Sequence, residues 1–352
     1  MPISSAFVPS AARAAAADRW IHPTPAGLFV APGGFFIDPV RAVERAVITH
    51  GHSDHARGGH SHVLATPATL AVMEQRLGRA AGAVRQPLDY GESLTVGDVR
   101  LTLVPAGHVL GSAQVVVEHG GARVVVSGDY KRRPDPTCAP FDPVPCDVFV
   151  TEATFALPIF RHPPAEAEIG RLLHSLALFP ERSHLVSVYA LGKCQRVIAL
   201  LRAAGYGRPI YLHSALEPLC ALYARFGVDL GDLRPAAEAG AAALRGAVVL
   251  TSGGGGHWME RLSDPVTAVA SGWVRVRQWA RQRGAELPLV ISDHADWDEL
   301  TATLAELSPA EVWITHGRDD ALSHHAARLG IRARALALVG RSGEGDGEEE
   351  GA

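Results

Sequence analysis

The chain has 352 residues, 47% of them hydrophobic and 20% charged, with a net charge of −4. That length and apolar content can bury a large core and predict two compact units, or one with a big insertion. A mildly acidic balance excludes a globally basic coat for nucleic acid, so any anionic partner must be recruited by local charge.

Cys138, Cys146, Cys194 and Cys220 contain no C-x-x-C pair. A chain of this size needs no disulfide framework, so they read as reduced thiols of a cytoplasmic protein. No apolar stretch reaches the ~18 residues that span a bilayer, so no membrane partner is expected. The alanine-rich stretch at residues 11–17 lacks the basic lead and leucine-rich core of a signal peptide.

In chain order, residues 1–20 read as a loosely held extension. Short β-branched runs follow at 28–30, 34–37 and 45–49, then a helical stretch at about 68–77. Runs at 99–104, 114–118 and 123–126 come next, the last two joined by His119-Gly120-Gly121 as a β-hairpin. After the run at 148–150 the texture changes. Helical periodicity at 169–178 and 193–203 alternates with apolar runs at 184–188, 210–212 and 248–250, which predicts a parallel α/β unit. Strand texture returns at 287–291 and 311–314, and the acidic, apolar-free tail at 341–352 reads as disordered.

The richest stretch is His50-Gly51-His52-Ser53-Asp54-His55, four metal-capable side chains in six residues directly after an apolar run. Even in a chain with 17 histidines, such a pattern arises by accident in about two chains per thousand, so it reads as a metal site. An extended backbone would place His50 and His52 on one side, because strand side chains alternate faces. His108, within Gly107-His108-Val109-Leu110-Gly111, and Asp129, after Ser127-Gly128, also follow apolar runs. Taken singly, a histidine there is usually a satisfied surface or core residue, and an aspartate a turn or cap residue. Glu152, His294 and His316 follow strand-like runs in the same way, and polar groups gathered at one sheet edge are how a scaffold positions a site.

Taken together, H-x-H-x-D-H, then G-H, then S-G-D resembles the metallo-β-lactamase fold, an αββα sandwich holding two metals at one edge. Glu152 in Thr151-Glu152-Ala153, His294 in Asp293-His294-Ala295-Asp296 and His316 in Thr315-His316-Gly317 resemble motifs A, B and C of its β-CASP branch of nucleic-acid hydrolases. The start of the helix at Leu191-Gly192-Lys193-Cys194-Gln195 resembles that branch's insert. Within the branch the likeness is to the bacterial exonucleases associated with DNA ligase, and it runs from about Gly27 to Gly330.

The resemblance implies a mixed α/β fold with a catalytic core at 21–155 and 285–340. An inserted parallel α/β cap would occupy 156–284. It implies one divalent ion on His50, His52 and His108, a second on Asp54, His55 and His316, and Asp129 between them. Imidazole and carboxylate donors suit zinc, with manganese also compatible. Two such ions can share a hydroxide and clamp a phosphoryl oxygen, leaving a net positive centre that favours an anionic phosphodiester. Asp54, Glu152 and His294 form the implied catalytic group: His294 stabilises charge or protonates the leaving oxygen, held by Glu152. Asp38 corresponds to the fold's first aspartate, a brace for the His50–His55 loop.

Lys131, Arg132 and Lys193 are candidate phosphate contacts, although a basic turn is as often merely solvated. Arg275, Arg277, Arg281 and Arg283 are compatible with a nucleic-acid groove. The run Gly253-Gly254-Gly255-Gly256 lacks the Gly-Lys-Ser/Thr of a phosphate loop, which excludes ATP binding there. The expected activity is therefore a metal-dependent DNA exonuclease of a ligase-associated repair system, functionally linked to an ATP-dependent DNA ligase and a helicase. An RNA-processing or RNA-degrading nuclease is the same-chemistry alternative, because 2′-OH discrimination rests on contacts the sequence does not place. A lactone or thioester hydrolase of the same fold is disfavoured by the long insert and Glu152, and a dead scaffold by the full ligand set.

Overall fold

The computed structural model describes residues 7–253, 257–336 and 338. The expected acidic tail at 341–352, residues 1–6 and most of the Gly253–Gly256 run lie outside them. The chain divides into two compact units. One takes the chain to Pro134, Cys138–Ile159 and the chain from His294 onward; the other takes Asp135–Thr137 and Phe160–Asp293.

The first unit holds two sheets. Strands β1 (Ile21–Thr24), β2 (Gly27–Val30), β3 (Phe35–Ile37), β4 (Arg45–Val47), β5 (His62–Ala65) and β6 (Val84–Pro87) lie in sequence order. The second sheet runs β19 (Arg332–Ala335), β18 (Glu311–Gly317), β11 (Val148–Ala153), β10 (Ala122–Val126), β9 (Ala113–His119), β8 (Val99–Pro105), β7 (Ser93–Val96). β9 and β10 form the expected antiparallel hairpin, whereas β10, β11, β18 and β19 pair in parallel.

Period-two patterning explains the layers. Val115, Val117, Val124, Val126 and Val150 pack with Leu28, Val30, Phe35, Ile37 and Val47 between the two sheets. The intervening Val116, Val125 and Phe149 point to the other face, against α8 (Trp297–Leu307) and α9 (Asp320–Arg328). Strands covered on both faces read as continuous apolar runs, as these do. α8 presents Leu300, Leu304 and Leu307 at helical spacing. On the outer side of the first sheet, α2 (Pro67–Leu77) packs Leu70 and Met73 on Ala46, Ile48 and Val63. Thr66 caps α2 by accepting from the Thr69 amide at 3.1 Å. The result is an αββα sandwich.

The alanine-rich stretch differs from the loose extension expected. It forms α1 (Ala11–Ala17), with Ala14 and Ala17 buried in the inter-sheet core. Arg13 and the Ser10 amide both bond to the buried Asp147 carboxylate, which fastens the helix.

The second unit is a six-stranded parallel sheet in the order β14 (Leu233–Pro235), β13 (Ile210–Leu212), β15 (Val248–Thr251), β12 (His184–Ser187), β16 (Val266–Ala270), β17 (Leu287–Leu289). Its helices are α3 (Ala165–Leu178), α4 (Lys193–Ala203), α5 (Glu217–Arg225), α6 (Ala241–Leu244) and α7 (Arg277–Gln282). The return to the first unit, expected at 285, falls instead after Asp293, because β17 pairs with β16. Inside this unit Arg196 reaches Asp293 at 3.1 Å and Asp135 at 3.4 Å, while Lys193 lies 2.9 Å from Asp293. No described helix is long and apolar enough to cross a membrane.

Candidate metal centre

All seven implied ligands, together with Glu152 and His294, belong to the first unit; His50, His52, Asp54, His55, His108 and Asp129 follow β4, β8 and β10, whereas Glu152 and His316 lie in the last residues of β11 and β18. β4 stops at Val47, so His50 and His52 lie past the strand rather than on the extended backbone expected, and the stretch to His55 turns; the His52 carbonyl accepts from the Ala56 amide at 2.7 Å. The turn still brings His50 Nε2 and His52 Nδ1 to 3.2 Å. Asp38 organises it: its carboxylate accepts from the Thr49 amide at 2.8 Å and the Thr49 hydroxyl at 2.7 Å, and lies 2.7 Å from His55 Nδ1. Thr49 Oγ1 is also 3.1 Å from His50 Nδ1. With both Nδ1 atoms engaged, the Nε2 atoms of His50 and His55 turn to the centre, 3.5 and 3.4 Å from Asp129 Oδ2.

Two glycines make the close approach possible. A Cβ on Gly128 would stand 2.8 Å from Thr49 Cβ, and one on Gly107 only 2.2 Å from the Lys131 carbonyl; both have positive φ. His108 is fixed by the Ser112 hydroxyl, which accepts from its amide at 3.1 Å, and its Nε2 lies 3.0 Å from His52 Nδ1. His316, the penultimate residue of β18, has φ of 52°, and Asp38 has φ of 44°. Left-handed backbone at a non-glycine residue costs on the order of 1–3 kcal/mol and marks positions held by their surroundings. The His316 ring stacks on His55 at 4.9 Å.

The donors fall into groups whose ligand atoms lie within 4.8 Å of one another: His50, His52, His108 and Asp129; Asp54, His55 and His316; and Asp129, Glu152 and His294. Burial, reinforced by neighbouring imidazoles led by His55, holds His50 well below the ordinary histidine value. Burial opposes ionisation of Asp129, yet His55, His294 and His50 together hold it well below the carboxylate range. For Asp54 burial likewise works upward, and His55 overrides it. A neutral His50 imidazole and ionised Asp54 and Asp129 carboxylates are protonation states suited to a divalent cation. Asp129 Oδ1 is buried without a hydrogen-bond partner among the described residues. A buried carboxylate oxygen so placed is costly unless a cation meets it. The donor set therefore fits divalent metal.

His294 stands beside this cluster. Its Nδ1 is 2.9 Å from Glu152 Oε2 and 3.9 Å from Asp129 Oδ2. Burial pushes the Glu152 carboxyl up, and the His294 charge offsets that only in part. The Tyr130 backbone ties the pair together: its amide donates to Glu152 Oε1 at 2.8 Å, and its carbonyl accepts from the Ala295 amide at 2.6 Å. Asp296 caps α8, in a reciprocal box with Glu299. Glu299 also accepts from the Arg132 and Arg133 amides at 2.7 Å, and Arg133 bonds Asp296 at 2.6 Å. Thr49, Ser112 and this cap were not singled out from sequence. The Asp-x-x-Glu spacing of Asp296 and Glu299 was the one available signal.

The cationic candidates differ in exposure and in what they bond. Lys131 is buried with Nζ 3.3 Å from the His108 carbonyl; Arg132 engages Thr303 and Glu306; Lys193 is paired with Asp293 in the second unit. Arg275, Arg277, Arg281 and Arg283 are exposed.

Residues 21–185 match the β-lactamase superfamily domain, and residues 289–336 match the Zn-dependent metallo-hydrolase RNA specificity domain. A protein named a probable DNA ligase from Opitutus terrae is 28% identical over 88% of this chain, which spans only 30% of that protein. Ribonuclease TTHA0252 of Thermus thermophilus is 29% identical over 90% of both chains. The endoribonuclease ysh-1 of Neurospora crassa is 29% identical over 58% of this chain and 29% of its own length. With the sandwich, the inserted parallel unit and the motif order already described, these matches show that the chain belongs to the β-CASP branch of the metallo-β-lactamase fold.

Proposed function

We propose that this protein is a zinc-dependent DNA exonuclease that trims strands in a ligase-associated repair system of the cytoplasm, with the second unit as its nucleic-acid-binding cap. The observation that carries the reading is the His294–Glu152 pair beside Asp129. A lactone or thioester hydrolase needs no buried imidazole–carboxylate pair next to its ligands, whereas expelling a nucleotide oxygen calls for a proton donor. Glu152 occupies Nδ1, which leaves Nε2 to hold the proton given to the leaving oxygen. Glu152 also favours the charged ring, and Phe155, whose ring centroid is 6.1 Å away, flanks it.

His50, His52, His108 and Asp129 would hold one ion, and Asp54, His55 and His316 the other, with Asp129 shared. Two divalent ions so held would lower the pKa of water and neutralise phosphoryl oxygens. The Asp54 carboxylate, 48% exposed, reaches solvent and would orient the attacking water.

The link to a ligase is supported by the relative named a probable DNA ligase, in which the counterpart of this chain is one part of a larger protein; a helicase partner is part of the same proposal. A second reading, an RNA nuclease, is favoured by the match at 289–336 and by the relative named a ribonuclease. End-labelled single-stranded and duplex DNA and RNA, offered with zinc or manganese and with chelator, separate the readings. Chelator-sensitive loss of label from DNA supports the proposal and comparable RNA turnover promotes the second reading. Lactone turnover with inert nucleic acid overturns both.

A further inference from the structure

Two thiols in the second unit have no part in the hydrolysis described above. Cys194 lies in the first turn of α4 and Cys220 lies within α5, 26 residues later, and their sulfurs are 3.8 Å apart. Both are free cysteines. Cys220 lines a cavity of about 550 Å³ together with Glu217, Leu230 and Arg234, so a small reagent has a route to the pair. The two sulfurs are inequivalent. Gln195 donates to Cys220 from Nε2 at 3.5 Å. The hydrogen bond from Cys194, helped by Gln195, draws the Cys220 thiol below its ordinary value against burial, whereas burial pushes Cys194 well above. The thiolate is the reactive form, so Cys220 is the sulfur prepared for attack.

We propose that Cys194 and Cys220 form a redox modification site that takes a small hydroperoxide and closes to a disulfide joining α4 and α5. The Cys220 sulfur attacks a peroxide oxygen. The O–O bond breaks, the alcohol or water departs with the thiol proton, and Cys220 becomes a sulfenic acid. The Cys194 sulfur then attacks the Cys220 sulfur, forming S–S and breaking S–O, and its proton leaves with the hydroxyl as water. Two thiols lose two electrons and the peroxide gains them. A dithiol reductant returns both thiols by exchange. Closure needs an approach of about 2 Å between the sulfurs.

The test uses the full chain. It is treated with hydrogen peroxide and denatured, its remaining thiols are capped with N-ethylmaleimide, and the adducts are counted by intact mass. The expected result is a fall from the four thiols of the untreated chain to two, with a Cys194–Cys220 linked peptide that dithiothreitol releases. C138S should leave the linked peptide intact, and C220S should abolish it. C194S should trap dimedone on Cys220. Four capped thiols after peroxide, or a linked peptide from another pair, would overturn the proposal. The wild-type arm decides even if a variant fails to fold.

Discussion

His294 Nδ1 lies 2.9 Å from Oε2 of Glu152, a carboxylate with no exposed surface, and the same nitrogen is 3.9 Å from Asp129. A buried acid whose other oxygen takes the Tyr130 amide can neither rotate nor find water, so the imidazole it faces is fixed in orientation.

The first prediction separates this imidazole from the ligands. H294A should bind its divalent metal like the wild type while losing about 10²- to 10⁴-fold in turnover, the usual worth of a positioned proton donor. Elemental analysis and a labelled-strand assay on one sample check it. Loss of metal would make His294 a ligand.

Asp38 should act on the metal from one shell further out. It holds His55 directly and His50 through Thr49. D38A is expected to weaken metal binding by about 10- to 100-fold, the range for such supporting carboxylates, measured by competition with a chromogenic chelator. Unchanged affinity would show that the turn holds its shape without the aspartate.

How much of this was legible in the sequence follows from range. His50, His52, Asp54 and His55 are adjacent in the chain, so their shared chemistry was visible although the backbone there turns rather than extends. His108, Asp129 and His316 became readable only as an ordered set, because each alone resembles a capped strand end. Hydrogen bonds and ion pairs across long separations were not legible. Lys131, Arg132 and Lys193 look like surface cations in the chain, but the His108 carbonyl that Lys131 meets and the Glu306 and Asp293 carboxylates that pair with the other two lie 23, 174 and 100 residues away. Thr49 was invisible because a single hydroxyl carries no pattern. The helix at Ala11–Ala17 was missed because alanines have no amphipathic contrast, and only its fit against the core reveals it.

Arg196 gives a stability prediction for the second unit. Its guanidinium is almost fully buried between Asp293 and Asp135. R196A would leave both carboxylates short of their cation and should cost about 3–5 kcal/mol, read from the denaturant midpoint. A cost below about 1 kcal/mol would mean that Lys193 alone satisfies Asp293.

Acid should weaken the same unit through His184. Burial, the largest cause, lowers its pKa below 6.5, and Ser175 Oγ lies 2.8 Å from its Nε2. Because the folded pKa lies below the unfolded one, the unfolded chain binds the proton first. Stability is therefore full above 6.5 and is lost as pH falls from there toward the folded pKa. Denaturant midpoints at about pH 7.5 and about pH 5.5 should fall more steeply for wild type than for H184Q. Parallel slopes would count against His184 as the source.

The most direct measurement is the divalent metal content of the purified chain beside that of D129A, each assayed on end-labelled DNA before and after chelation. About two ions per wild-type chain are expected, with strand loss that chelator abolishes and added zinc or manganese restores, and both metal and turnover should collapse in D129A. Wild-type protein that cleaves DNA equally well after its metal is stripped, or D129A with full metal and full activity, would contradict the account.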